Sequence, residues 1–375
     1  MNRMFDKETI NLINKVLGEG SKIVDTITGG MMNISYLVED KNNKEYILYI
    51  PTEQANEMVD RKLEKEHQSI IHSIGITSKN VYFDTEKGIK MNEFIPGKSL
   101  DKVEKFDYQK IAVLFKNLHN SVLLSHSDYA PFVRFTDIYE KEAKQYETEI
   151  NDRYEMLRDF LFGYRSFLES QMLCLCHNDA QRSNIIQTPD DEYYFIDFEF
   201  VGNNDPIYDI AAFGNGKVSE GRELLNYYYD SKPTINQIKR YYLWRIFISL
   251  QWYNVAITKH YRGEGKAHNF NFLEVANHFL LNAKDAFDGY HLEVKEDPNS
   301  EETTEKLIIS TLDKIRHFLQ KDGGDCEFVS YKDGVVYVRM KGACQDCSFA
   351  GADIKELVEV VLQEEVPGVI EVRMA

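Results

Sequence analysis

The residues with the clearest chemistry in this sequence lie between Leu173 and Phe200, in LCLCHNDAQRSNIIQTPDDEYYFIDFEF. His177-x-Asp179 is followed five residues on by Asn184, and Asp197 stands thirteen residues beyond that asparagine. Phosphoryl transfer to a hydroxyl calls for such a set. One carboxylate orients the attacking hydroxyl and takes its proton, while an amide oxygen and a second carboxylate hold Mg2+ against nucleotide phosphates. In this pattern Asp179 is the base, and Asn184 and Asp197 are the metal ligands. Magnesium favours few, hard oxygen donors and fills its shell with water and phosphate, which suits an Asn/Asp pair. The rival reading is a polar loop whose Asp and Asn side chains cap turns. His-x-Asp alone would leave that rival ahead; the complete string through Ile-Asp-Phe-Glu favours phosphotransfer. The apolar runs Met172–Cys176 and Tyr193–Phe198 read as paired strands framing the loop.

The elements that must position this loop come before and after it. Residues 6–18 predict a short amphipathic helix with Ile10, Ile13 and Leu17 on one side. Residues 22–50 alternate as strands, with Gly29-Gly30 between the first two. There the missing side chains let backbone N–H groups approach phosphate oxygens, although a plain hairpin turn is the simpler reading. A third strand, Tyr46–Pro51, leads to a charged helix, NEMVDRKLEKEHQSIIHSIGI, that carries Glu64 and Glu66. Residues 89–97 predict a strand running into a turn, and 107–124 a helix with Ile111, Leu114 and Leu118 on one face. Residues 136–170 read as long, charged and helical. A late helix, YYLWRIFISLQWYNVA, holds Tyr241, Trp244, Trp252 and Tyr253; an aromatic stripe at helical spacing is usually core.

CHNDAQRSNII and YFIDFEFVGNNDPIYDIAAF resemble the choline/ethanolamine kinase family, relatives of aminoglycoside phosphotransferases and protein kinases, over about residues 15–285. The resemblance implies an α+β fold: a two-lobed, protein-kinase-like phosphotransferase with an N-lobe over 1–95 and a C-lobe over 96–290. It implies ATP and Mg2+ as well. GGMMNxSYLV is similar to the family's nucleotide loop, which assigns Gly29, Gly30 and Asn33 to the nucleotide. Backbone groups of Glu93, Phe94 and Ile95 would hold the adenine edge, and Glu64 or Glu66 would be the acidic partner of a phosphate-binding base. That base is missing from its family place, where Tyr49 stands and can supply no positive charge. Lys44 or another cation substitutes, or nucleotide binding is weakened.

The same resemblance makes Asp209 an anchor for the catalytic loop. His119 reads as a packed or capping histidine rather than a catalytic one, and Glu199 either approaches a second metal or the acceptor or lies at the surface. Family members hold a quaternary ammonium between aromatic faces and carboxylates, where a desolvated cation gains about 2 kcal/mol. Trp252 keeps one place of that aromatic pair. Ser249 and Gly216 stand where the family has the second tryptophan and a carboxylate, and Val275 where it has a tyrosine.

Composition bounds the rest. A net charge of −17 and a pI near 5.1 weigh against nucleic acid or an anionic membrane as partner. With 23 Tyr and 22 Phe the chain is built for packed cores rather than disorder. No run of about eighteen apolar residues and no basic-then-apolar leader is present, so the expectation is a cytoplasmic protein without membrane insertion. The five cysteines are odd in number and clustered, unlike a secreted disulfide framework.

Residues 291–303 turn polar and acidic and read as a linker. Residues 304–375 predict a second α+β unit: a helix, Asp322-Gly323-Gly324-Asp325, two strands, Cys344-x-x-Cys347, a helix and a closing strand. DGGD with GVVYVRMKGACxxC resembles the NifU C-terminal domain, an iron–sulfur scaffold, which implies Cys344 and Cys347 as metal ligands. A lone CxxC is also read as redox-active or as half a zinc site. The motif departs from the family in Asp346, a carboxylate beside the thiolates, and in Ser348, which replaces a proline. Cys326, inside a strand, reads as a small hydrophobe. A cuboidal [4Fe–4S] cluster takes four thiolates, so two copies of the motif would share it across a homodimer. Apo iron–sulfur proteins would be its recipients.

The leading functional reading is ATP-dependent phosphorylation of the hydroxyl of choline or a similar small amino alcohol. The alternatives are another acceptor (ethanolamine, an aminoglycoside, a sugar), a binding protein without turnover, and an iron–sulfur carrier with an inactive kinase-like domain.

Overall fold

The computed structural model describes residues 7–27, 33–52, 59–121, 125–146, 151–267, 271–294, 301–320, 324–332, 334–342, 350–366 and 369–375. Gly29, Gly30, Cys344 and Cys347 therefore lie outside the described residues. The chain divides between Val294 and Lys295 into two compact units.

In the first unit α1 (Lys7–Leu17) precedes an antiparallel sheet of β1 (Lys22–Ile27), β2 (Asn33–Glu39), β3 (Glu45–Pro51), β4 (Asn80–Asp84) and β5 (Ile89–Glu93). The strand order is β1-β2-β3-β5-β4, so β5 enters between β3 and β4. Ile13 of α1 shares a small core with Val38, Tyr46, Leu48 and Met91. Between β3 and β4 runs α2 (Arg61–Ser73), started by Asp60, whose carboxylate accepts the N–H groups of Lys62 and Leu63. Its buried stripe is Arg61, Glu64, His67, Gln68 and Ile71. A buried helix face this polar must find partners for its charges.

The following helices are α3 (Tyr108–His119), α4 (Asp152–Phe162), α5 (Pro206–Phe213), α6 (Val218–Tyr228), α7 (Ile235–Tyr261) and α8 (Phe272–Glu293). They share one large core, to which α7 contributes Trp244, Phe247, Leu250 and Tyr253. A capping box starts α7: Thr234 Oγ1 accepts the Gln237 N–H, and Gln237 Oε1 accepts the Thr234 N–H. The stretch expected as one long helix over 136–170 is broken. A turn at Pro131–Arg134 passes into a π-helical segment, Phe135–Glu140, and Asn151 caps α4 afresh.

The two apolar runs around the polar loop do not pair with each other, which corrects the sequence reading. Instead β7 (Cys174–Cys176) pairs with β10 (Gly202–Asn204). β9 (Tyr193–Phe195) pairs with β8 (Ile185–Gln187), which also pairs with β6 (Lys98–Ser99). The cause is local. Asp197 has φ 67, a left-handed conformation that stops the second run after Phe195.

In the second unit α9 (Glu301–Leu319) precedes a hairpin of β11 (Gly324–Lys332) and β12 (Val335–Gly342), and α10 (Ala350–Glu365) leads to β13 (Glu371–Met374), parallel to β12. Ile308, Leu312, Val336, Val338, Val358, Leu362, Val372 and the fully buried Cys326 form its core. Arg316 donates two hydrogen bonds to Asp325, at 2.7 and 2.8 Å, tying α9 to the start of β11. No helix among the described residues is long and apolar enough to cross a membrane.

Candidate active site

The catalytic loop leaves β7 through Asn178, which has φ 63, a conformation asparagine tolerates better than most side chains. Its Nδ2 donates to the carbonyls of Phe200 (2.9 Å) and Gly202 (3.2 Å), and its Oδ1 accepts from Asn204. Asp209, fully buried in α5, fixes the loop from below. One of its oxygens accepts the His177 N–H and the other the Asn178 N–H, both at 2.7 Å, and His119 Nε2 lies 3.1 Å away. His119 also meets Tyr228 at 2.9 Å, so it is a packed histidine. Burial lowers the His177 pKa. The neutral ring donates from Nε2 to the Ile196 carbonyl at 2.9 Å and accepts the Asp179 N–H at Nδ1.

Asp179 is half-buried. Its Oδ2 accepts from Asn184 Nδ2 at 2.8 Å and Gln181 Nε2 at 3.2 Å. The Ile196 N–H donates to the Asn184 carbonyl at 3.0 Å, which brings Asp197 beside Asn184. The Asn184 amide nitrogen is spent on Asp179, leaving its oxygen without a donor among the described residues. Asp197 Oδ1 is buried and makes no hydrogen bond. An uncommitted amide oxygen, and on the adjoining segment a carboxylate oxygen that makes no hydrogen bond and has Lys90 Nζ 3.7 Å away, fit a hard cation. Burial, then the charge of Glu199, pushes the Asp197 pKa up to about 7. Burial, then the charge of Asp197, raises that of Asp179 well above the carboxylate range. A bound cation would offset the charge contribution to each and leave the contribution of burial in place.

A second charged cluster lies against the first. Glu64 accepts from Lys90 Nζ at 2.5 Å and from Arg61 at 2.7 Å. Glu199 accepts from Arg61 at 3.0 Å and from Asn33 Nδ2 at 2.8 Å. Lys90 Nζ is also 3.7 Å from both Asp197 and Glu199. Glu199, read as a metal or acceptor ligand, is thus held within this cluster by Asn33 and Arg61. Asn33 itself serves here as a carboxylate donor. Lys44 is not the substitute cation: it is exposed and pairs with the Glu93 side chain. Glu66 is solvent-facing and sits near His126, so Glu64 is the member of that acidic pair that enters the site. Lys90 escaped the sequence reading because Ile89-Lys90-Met91 gives only an ordinary alternating strand.

At the expected hinge, the Glu93 and Phe94 N–H groups donate to the carbonyls of Lys79 (2.9 Å) and Glu45 (3.0 Å). Those two N–H groups are therefore spent. The Ile95 N–H has no backbone acceptor among the described residues.

On the other side of Asp179 a polar chain runs toward α7. Gln181 Oε1 accepts from Asn215, Asn215 Oδ1 accepts from Arg245 at 3.3 Å, and Arg245 donates to Ser249 at 2.7 Å and to the Ala211 carbonyl at 2.8 Å. Arg245 is fully buried with no carboxylate in ion-pair reach among the described residues, and burial lowers its pKa to about 10. Trp252 lies one turn beyond Ser249, half-buried, with its ring parallel to Phe279 at 6.1 Å. Trp244 and Tyr253 belong to the core, and Trp244 donates to Asp205. Gly216 is exposed, with open space where a side chain would stand.

The fold is protein-kinase-like, two-lobed, with a separate small α+β unit at the end of the chain. Residues 24–262 match the choline/ethanolamine kinase family, and the chain belongs to that family. A solved choline kinase LicA from Streptococcus pneumoniae is 25% identical, with a TM-score of 0.57 over 75% of this chain and 98% of that one. Protein LicA of Haemophilus influenzae is 24% identical over 189 residues, 49% of this chain and 55% of the relative, so the match spans about half of that relative's length. Residues 308–373 match the NifU-like domain. The NFU1 iron–sulfur cluster scaffold homolog of Drosophila persimilis is 38% identical over 72 residues, 19% of this chain and 26% of that protein.

Proposed function

We propose that residues 1–294 catalyse ATP-dependent phosphorylation of a small-molecule hydroxyl, with choline or a similar amino alcohol as acceptor. The observation that carries the reaction type is Asp179 pinned by Asn184, with the Asp197 oxygen that makes no hydrogen bond on the adjoining segment. With Oδ2 occupied by Asn184 and Gln181, Asp179 accepts the acceptor's proton at Oδ1. Its raised pKa suits a base that must hold a proton during the transfer. Held by Asn184 and Asp197, Mg2+ would neutralise charge on the nucleotide phosphates. Family membership and the parallel Trp252–Phe279 pair support the amino-alcohol acceptor, since π faces attract a desolvated cation.

Arg245 favours a second reading. A buried guanidinium without a counter-ion among the described residues, joined to Asp179 through Asn215 and Gln181, repels a cationic acceptor and suits a neutral or anionic alcohol. One panel separates the two. Full-length protein with Mg2+ and ATP is assayed for ADP release on choline, ethanolamine, glycerate, a hexose and an aminoglycoside. The amino-alcohol reading expects choline or ethanolamine to lead, and Trp252→Ala to raise the acceptor KM by about 5- to 30-fold while sparing that for ATP. A hexose or glycerate turning over faster than both would sink it in favour of the second reading.

For the tail, we propose a cytoplasmic iron–sulfur carrier whose Cys344 and Cys347 hold a [4Fe–4S] cluster jointly with a second copy, for delivery to apo-proteins. Anaerobic reconstitution should then give about two iron atoms per chain in a dimer. Cys344→Ser or Cys347→Ser should remove cluster and dimer together. A monomer with a full four-iron cluster, or zinc without sulfide, would refute the shared site.

A further inference from the structure

The sheet supplies, on a neighbouring strand, the cation that β3 lacks. Tyr49 on β3 pairs directly with Lys90 on β5, so the two side chains share one face. Lys90 Nζ lies 5.1 Å from the Tyr49 ring centroid. An ammonium has three donors. Lys90 spends one on Glu64 at 2.5 Å, while Asp197 and Glu199, at 3.7 Å, are ion-pair neighbours beyond hydrogen-bond distance. A lysine only 2% exposed, with donor capacity left over, is costly to keep unless an acceptor arrives.

Position decides between the two buried cations. Arg61 donates to both Glu64 and Glu199 through Nη1, which holds it on the carboxylates of the second cluster. Lys90 is the one within 4 Å of Asp197, at the carboxylate oxygen that makes no hydrogen bond. Tyr49 cannot take the role, because a phenol is neutral or anionic and never carries a positive charge; burial raises its pKa to about 12 and so keeps it from adding a further anion. Its ring instead packs under the ammonium, a contact that favours the charged lysine.

We propose that Lys90 is the phosphate-contacting cation of this site, positioned by Glu64, and that Tyr49 and Lys90 are a cross-strand exchange of the family's usual arrangement. The basic residue of β3 has moved to the facing position on β5, and the aromatic ring fills the place it left. This rests on the nucleotide-binding reading above.

The test uses the full-length wild-type protein first. An acyl-phosphate derivative of ATP transfers its acyl group to a lysine amine near the bound phosphates and releases ATP, and peptide mass spectrometry locates the amide. Lys90 should be the lysine whose labelling excess ATP suppresses. ATP-protected labelling at Lys44, Lys62 or another lysine instead overturns the assignment while leaving nucleotide binding intact. No protected labelling at all overturns both.

Substitution gives the second measurement. Lys90→Met should weaken Mg2+-dependent binding of a non-hydrolysable ATP analogue by about tenfold or more, and Tyr49→Lys/Lys90→Tyr should recover most of it. A folded Lys90→Met protein with wild-type affinity sinks the proposal. If Lys90→Met does not fold, the exchanged pair decides: recovery of binding supports it, and a folded pair without binding overturns it.

Discussion

Replacing Asp179 by asparagine lowers kcat by about 10²- to 10⁴-fold and leaves the affinity for Mg2+ and a non-hydrolysable ATP analogue close to wild type. The substitution preserves shape. An asparagine oxygen still accepts from Asn184 Nδ2 and Gln181 Nε2, so the loop keeps its hydrogen bonds. What disappears is the basic oxygen, and with it the route for the acceptor's proton. Asn184 and Asp197, the residues that fit the metal, are untouched. The pH profile provides an independent signature. Burial and the Asp197 charge raise the Asp179 pKa, so the basic form is lost, as pH falls, earlier than for an ordinary carboxylate. Wild-type kcat/KM should therefore fall on the acid side, and the residual rate of Asp179→Asn should not follow that limb. Equal turnover by the two proteins would remove Asp179 from the role of base.

Asp179, Asn184 and Asp197 were legible because the chemistry confines their types and order to one short stretch of chain. Asp209 was legible for a similar reason, following the same stretch closely. Lys90 was not, because its partnership with Tyr49 depends on β5 inserting between β3 and β4, and nothing local to either residue announces that order. The fate of Glu199 was hidden likewise, since Asn33 and Arg61 reach it from the N-terminal elements. β10 was missed because Gly202-Asn203-Asn204 has no apolar alternation, and its pairing with β7 is supported by side-chain amides of the loop. Arg245 reads in sequence as a charged interruption of an aromatic helix. Its burial without a counter-ion among the described residues emerges only once α5 and α7 pack.

The largest loss of stability from a single substitution is expected at Asp209. Its carboxylate accepts the backbone N–H groups of His177 and Asn178 and faces His119 Nε2, all inside a fully buried site. Asp209→Ala strands those donors without water. Each hydrogen bond to a charged group is worth about 1.5–3 kcal/mol, and stranded buried donors carry a desolvation penalty, so the combined cost should reach about 3–5 kcal/mol. Asp209→Asn should fall between, because one amide oxygen remains to accept while its NH2 group confronts a backbone N–H. His119→Ala should cost least, since both backbone bonds survive. Denaturant titration followed by tryptophan fluorescence reads this cleanly: the chain has two tryptophans, Trp244 and Trp252, and both lie in the first unit, so the signal excludes the tail. Activity should track the same order, because Asp179 directly follows the two anchored residues and moves with them. If Asp209→Ala proves no more destabilising than His119→Ala, the loop is held by the Asn178 side chain and the β7–β10 pairing instead.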